Sequence, residues 1–111
     1  MMVNGSGAAL DRSFLALSHP IRRGIVERLA AGPATVGEAT RGFAVSKPAI
    51  SRHLRILEEA RVIRRSVEGR THRLSLRERP LEDATAWIER QRDLWERKLD
   101  VVAADLEEEH P

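Results

Sequence analysis

The chain has 111 residues, enough for one domain with a modest core, and its 41% apolar share is too high for wholesale disorder. It contains no cysteine, which excludes disulfides, thiolate metal sites and thiol nucleophiles. The net charge of +2 conceals a segregation of +1 over residues 1–40, +7 over 41–79 and −6 over 80–111, so the middle of the chain suits a polyanion.

Residues 1–9 hold two glycines among small side chains and read as a disordered start. They have neither a basic n-region nor an apolar h-region, so a signal peptide is not expected. No apolar run approaches the roughly 20 residues of a membrane span, and the expected location is the cytoplasm. Leu10 to Leu17 predicts a short helix with Leu10, Phe14 and Leu17 on one face. Ser18-His19-Pro20 interrupts, and Pro20 suits the first turn of a second helix. That helix places Ile21, Ile25, Val26 and Leu29 inward and Arg22, Arg23 and Arg28 outward, and Gly32-Pro33 ends it.

Thr35-Val36-Gly37-Glu38 is a capping box opening a helix of about two turns, intrinsically weak because of Gly37 and Gly42. After a tight connection, Ser46 is an N-cap and Pro48 lies in the first turn of a helix running to about Ala60. Ile50, Leu54 and Leu57 face the core, and Lys47, Ser51, Arg52 and Arg55 occupy the other side. A weak short helix, a turn and a capped helix with a basic outer face follow the helix-turn-helix plan. Val62–Val67 and Arg70–Leu76 then read as a basic hairpin turning at Glu68-Gly69, the "wing".

From Pro80 to about Glu109 the helical pattern returns, with Leu81, Ala84, Ile88, Trp95, Leu99, Val102 and Leu106 in one stripe widened by Trp87, Leu94 and Val101. Thirty helical residues span roughly 45 Å. A compact domain of this size has a radius of gyration of only about 13 Å, so one domain cannot cover the stripe. The same helix of a twin subunit is the simplest cover, which makes those seven residues the expected homodimer interface. The expected architecture is mainly α with a small β-hairpin: 10–79 a winged helix-turn-helix, 80–111 a dimerisation helix.

The segment Ser46-Lys47-Pro48-Ala49-Ile50-Ser51-Arg52-His53-Leu54-Arg55-Ile56-Leu57-Glu58-Glu59-Ala60 closely resembles the ArsR-type winged-helix repressors. Leu17-Ser18-His19-Pro20-Ile21-Arg22-Arg23 upstream and Glu68-Gly69-Arg70-Thr71-His72-Arg73-Leu74 downstream extend the resemblance over about residues 10–79. It implies sequence-specific binding of double-stranded DNA, usually as a repressor, on a palindromic operator. Lys47, Pro48, Ser51, Arg52 and Arg55 form the implied contact face, with arginine able to bind guanine bidentately and serine suited to a phosphate. Arg70 suits the minor groove and Arg73 the DNA backbone. His53 either touches DNA or packs at the edge of the core. The family usually carries glycine after the Ala of this helix, where Arg61 stands here. Either Arg61 accepts a left-handed backbone or the helix ends differently.

Metal-sensing relatives use paired cysteines near the recognition motif or clustered Asp, His and Glu on the dimer helix. Residues 35–43 hold no cysteine and His110 has no partner histidine at the C-terminus, so no metal and no other cofactor is expected. Trp87 and Trp95, about 80° apart on a helix, are read as interface anchors, with an apolar pocket for an unidentified small-molecule effector left open. No Ser/His/Asp order and no glycine-rich phosphate loop supports catalysis. The competing reading is a winged-helix protein–protein module without specific DNA binding. RNA binding is disfavoured because the chain has no tyrosine and two phenylalanines, both expected in the core.

Overall fold

The computed structural model describes residues 5–108. Helix α1 (Gly5–Ala16) begins five residues before the expected Leu10. Residues 1–4, in the segment read as a disordered start, lie outside the described residues, as do Glu109 and His110. The fully buried side chains of α1 are Ser13 and Ala16, while Leu10, Phe14 and Leu17 are half-buried. Ser13 donates to the Ala9 carbonyl one turn back (3.1 Å), which lets a hydroxyl sit in the core without an unmet hydrogen bond.

Helix α2 (Pro20–Ala30) carries Pro20 in its first turn and is capped by His19, whose Nδ1 accepts from the Ile21 amide at 3.1 Å. Strand β1 (Ala34–Thr35) follows, then α3 (Val36–Thr40). The predicted capping box forms: Glu38 N–H donates to Thr35 Oγ1 (3.2 Å) and Thr35 N–H donates to Glu38 Oε1 (2.9 Å). That backbone bond, and then the threonine hydroxyl, holds the Glu38 carboxyl below its ordinary range. Five residues cannot sustain a helix alone. Tertiary contacts hold α3: Ala39 is fully buried, and Arg28 of α2 donates to its carbonyl at 3.0 Å.

Helix α4 (Lys47–Glu59) starts at the Ser46 N-cap, with the Ala49 amide 3.3 Å from the serine hydroxyl. It ends in a Schellman arrangement: Val62 N–H donates to Leu57 O (3.0 Å) and Arg61 N–H to Glu58 O (2.9 Å). Leu57 and Val62, both fully buried, supply the apolar contact that accompanies this motif. Arg61 takes the left-handed position, with φ 58°, so it accepts the conformation that a glycine adopts without strain.

The wing is β2 (Ile63–Glu68) and β3 (Thr71–Leu76), joined by Gly69-Arg70 with Gly69 at φ 62°. The sheet has three strands, not the predicted two: β1 pairs antiparallel with β3, Ala34 opposite Leu74 and Thr35 opposite Arg73. Two residues carry too little pattern to announce a strand. The third strand makes β3 central and buries Leu74 completely. Ile25, Leu57, Leu74 and Val62 fill the middle of the core, one each from α2, α4, β3 and the α4–β2 link.

Helix α5 (Glu78–Glu108) runs 31 residues, with Pro80 tolerated in its first turn. It is fixed at its start, where Ala84 is buried and Trp87 meets Phe14 of α1 edge-on, ring centroids 5.8 Å apart. Beyond that it projects. The radius of gyration of 19.7 Å and extents of 75 × 34 × 23 Å far exceed the roughly 13 Å radius of a compact chain of this length.

Candidate nucleic-acid interface

The amphipathic pattern of α4 decides which of its side chains reach solvent. Leu54 and Leu57 are buried and Ile50 is half-buried, which anchors one face to the core. Lys47, Pro48, Ser51, Arg52 and Arg55 are all exposed on the others. The four-residue spacing divides them into two adjacent stripes. Lys47, Ser51 and Arg55 line a groove of about 610 Å³ shared with Val36 and Thr40 of α3 and Arg65 of the wing. Pro48 and Arg52 form the second stripe, and Arg52 is close enough to Arg22 of α2 to act on it electrostatically. The helix N-terminus adds a positive potential at the same end.

The wing adds further exposed basic residues, with Arg64 and Arg73 on the sheet face opposite buried Leu74. Arg64, Arg70 and Arg73 are exposed, Arg70 in the two-residue turn itself. Arg65 is held inward: its Nε donates to Glu58 Oε1 of α4 at 2.9 Å, Nη2 donates to the same oxygen, and Nη1 lies 3.2 Å from His72 Nδ1 on β3. One guanidinium thus couples the exposed helix to both strands of the hairpin. The sequence marks Arg65 as one more basic wing residue and gives no sign of this coupling.

His53 is the expected site residue that departs from its neighbours. It is half-buried, and its Nδ1 is 3.0 Å from Nη1 of Arg22. Arg22, predicted on the outer face of α2, is buried, with 6% of its surface exposed. A signal was present: position 22 precedes Ile25 and Leu29 by three and seven residues, which puts it on the core stripe. Arginine's usual preference for solvent hid that geometry.

The seven stripe residues of α5 divide. Ala84 is buried inside its own protomer, and Leu81 is half-buried against the core, so both serve the chain's own packing. Ile88, Trp95, Leu99, Val102 and Leu106 stay about half or more exposed, joined by Leu94 and Val101. Trp87 is an anchor of α5 on α1 through Phe14. Among the described residues no helix is long and apolar enough to cross a membrane.

Residues 17–66, from the end of α1 through most of β2, match the helix-turn-helix domain family. The HTH-type transcriptional regulator Rv2034 of Mycobacterium tuberculosis is 53% identical over 53 residues, 48% of this chain and half the length of that relative. The transcriptional repressor SdpR of Bacillus subtilis is 38% identical over 79 residues, 71% of this chain and 88% of that one. A crystal structure of an ArsR family transcriptional regulator, RHA00566, superposes with a TM-score of 0.75 at 35% identity, covering 79% of this chain and 97% of its own. An ArsR-like transcriptional regulator from Rhodococcus sp. RHA1 gives 0.74 at 26% identity over 89% and 93%. A winged helix-turn-helix with a long C-terminal helix, a basic exposed α4 and these relatives place the chain in the ArsR family of DNA-binding transcriptional regulators.

Proposed function

We propose that two copies of the chain pair through the outer part of α5 and hold two α4 helices against a palindromic operator, repressing transcription in the cytoplasm. The observation that carries this reading is the exposed basic face of α4 (Lys47, Arg52 and Arg55), followed in the chain by a hairpin that exposes Arg64, Arg70 and Arg73. An α-helix fits the major groove, and Arg52 and Arg55 have the reach and the forked donors to read base edges there. Lys47 and Ser51 at the capped end suit phosphates. Twofold pairing supports the palindrome, since two recognition helices then meet half-sites roughly 34–36 Å apart. The unpartnered apolar side chains from Ile88 to Leu106 supply the pairing surface.

Selection of bound duplexes from a random pool tests this. Enrichment of an inverted repeat with half-sites one helical turn apart supports it. Failure to enrich any duplex, with the chain still self-associating, favours the protein–protein module.

An effector site other than the apolar pocket read from Trp87 and Trp95 is a cleft of about 730 Å³ between α1 and the start of α5, which Trp95 does not line; Arg12, Arg61, Arg77, Arg79, Arg90 and Trp87 do. Five guanidinium groups against Glu59 and Asp83 favour an anionic ligand. Aromatic carboxylates that raise Tm in the wild type but not in an Arg12→Ala, Arg90→Ala double variant support this site; equal shifts in both remove it.

A further inference from the structure

Arg22 is a buried charge that the DNA-contact surface does not use. Its guanidinium is engaged on several sides. Nε donates to Ala16 O at 3.0 Å, and Nη2 donates to Leu15 O at 3.0 Å and to Ser18 Oγ at 3.2 Å. Nη1 lies 3.0 Å from His53 Nδ1. A guanidinium has donors and no acceptor, so this last bond has one polarity. Arg22 donates, His53 Nδ1 accepts, and the single proton of the neutral ring sits on Nε2. The His19 ring lies against His53, centroids 4.4 Å apart, with its own Nδ1 taken by the Ile21 amide. This cluster ties the end of α1, the start of α2 and the middle of α4 together.

We infer that Arg22 and His53 are positioning residues for DNA recognition, locking α4 onto the α1–α2 junction, and that the lock holds only while His53 is neutral. The inference rests on the DNA-binding reading of α4. A doubly protonated ring has two donors and cannot accept from Arg22. The titratable and charged groups acting on His53 are His19 at the N-cap of α2, Arg22 on α2 and Arg52 on α4 itself, and all are basic. What α1 contributes is the pair of carbonyls, Leu15 and Ala16, that hold Arg22. A proton on His53 therefore meets a fixed cation without a carboxylate in the network. Burial first, then His19, Arg22 and Arg52, hold the His53 pKa below its ordinary value of 6.5. The unfolded chain then binds the proton more readily. The contribution of His53 to stability is complete above about pH 6.5 and is lost as pH falls through that value toward the folded-state pKa.

A histidine that touches a phosphate behaves in the opposite way, because the DNA favours its charged form and affinity rises on acidification. Duplex affinity between pH 7.5 and 5.5 therefore separates a lock from a contact. The probe is the duplex recovered from pool selection. The wild type should lose roughly tenfold in affinity on acidification, the scale of one charge-assisted hydrogen bond. In His53→Asn, Oδ1 stands close to the place of Nδ1 and does not titrate. That variant should bind within about threefold of the wild type at pH 7.5 and show a flat profile. His19→Asn keeps an N-cap acceptor and should retain the fall. Affinity that rises on acidification, or an equal fall in His53→Asn, overturns the inference.

Nitrogen NMR of the free chain at pH 7.5 reads the lock without DNA. A proton on Nε2 is expected; a proton on Nδ1 overturns it. If the wild type binds no duplex at any pH, the DNA-binding reading fails by itself. The tautomer, and a Tm that falls with pH in the wild type but less in His53→Asn, still decide the lock.

Discussion

Glu58 of the recognition helix and Arg65 of the wing are joined across the groove between them, with Nε donating to Oε1 at 2.9 Å. The pair ties helix to hairpin, although seven residues separate the partners. The pair is about one-third exposed, with side-chain exposures of 29% and 33%, so solvent screening limits it to roughly 0.5–1 kcal/mol. Glu58→Ala should leave the fold intact, speed hydrogen exchange of the β2 and β3 amides and weaken operator binding about three- to fivefold. Unchanged exchange in the hairpin would show that backbone pairing alone sets the wing.

Arg52 is exposed on α4, in the stripe it shares with Pro48. Arg52→Ala should lower affinity for the selected site by about 1–3 kcal/mol and for random duplex by less, because a lost base contact removes discrimination. Equal losses on both duplexes, measured by fluorescence anisotropy, would assign Arg52 to phosphates.

Leu99 lies well beyond the part of α5 that packs on its own protomer and is 50% exposed. A charge there is harmless to a lone chain and costly in a buried pairing surface. On the pairing proposed for α5, the wild type should sediment as a dimer and Leu99→Glu as a monomer, with the helical content unchanged. A persisting dimer would place the interface elsewhere.

Arg61 holds φ 58° at the end of α4, a conformation that costs a side chain with a Cβ about 1–2 kcal/mol. Glycine relieves this but loses about 0.4–1 kcal/mol through the freedom of the unfolded chain. Arg61→Gly should therefore be stabilising by roughly 0.5–1 kcal/mol and raise Tm by a few degrees. A lower Tm would show that the Arg61 side chain makes contacts worth more than the strain.

Local chemistry made most of the fold legible. Proline at helix starts, the Thr35 and Ser46 caps and the alternation around Leu74 and Leu76 each act within a few residues, and each element appears where those signals stand. The features that stayed hidden depend on partners distant in sequence. Strand β1 exists because β3 offers it Arg73 and Leu74, and α1 extends back to Gly5, where small residues give no apolar pattern. The exposed face of α4 was readable from its spacing. The inward ties of Arg65 and His53 were not, since nothing local to either residue names Glu58 or Arg22 as its partner. Ala84 fits the α5 stripe, but the choice between its own core and a twin's surface rests on where α1 packs.

Each protomer exposes Lys47, Arg52, Arg55, Arg64, Arg70 and Arg73 on α4 and the wing. If two protomers bring half of these or more to phosphates, the log–log slope of affinity against salt should be about −5 or steeper, from roughly −0.9 per phosphate neutralised. Titration of the selected duplex across a range of salt, with stoichiometry by sedimentation, is the most direct measurement. A steep slope with two chains per duplex is expected; a slope near zero, or saturation at one chain per duplex, would contradict paired insertion of α4 and its wing into DNA.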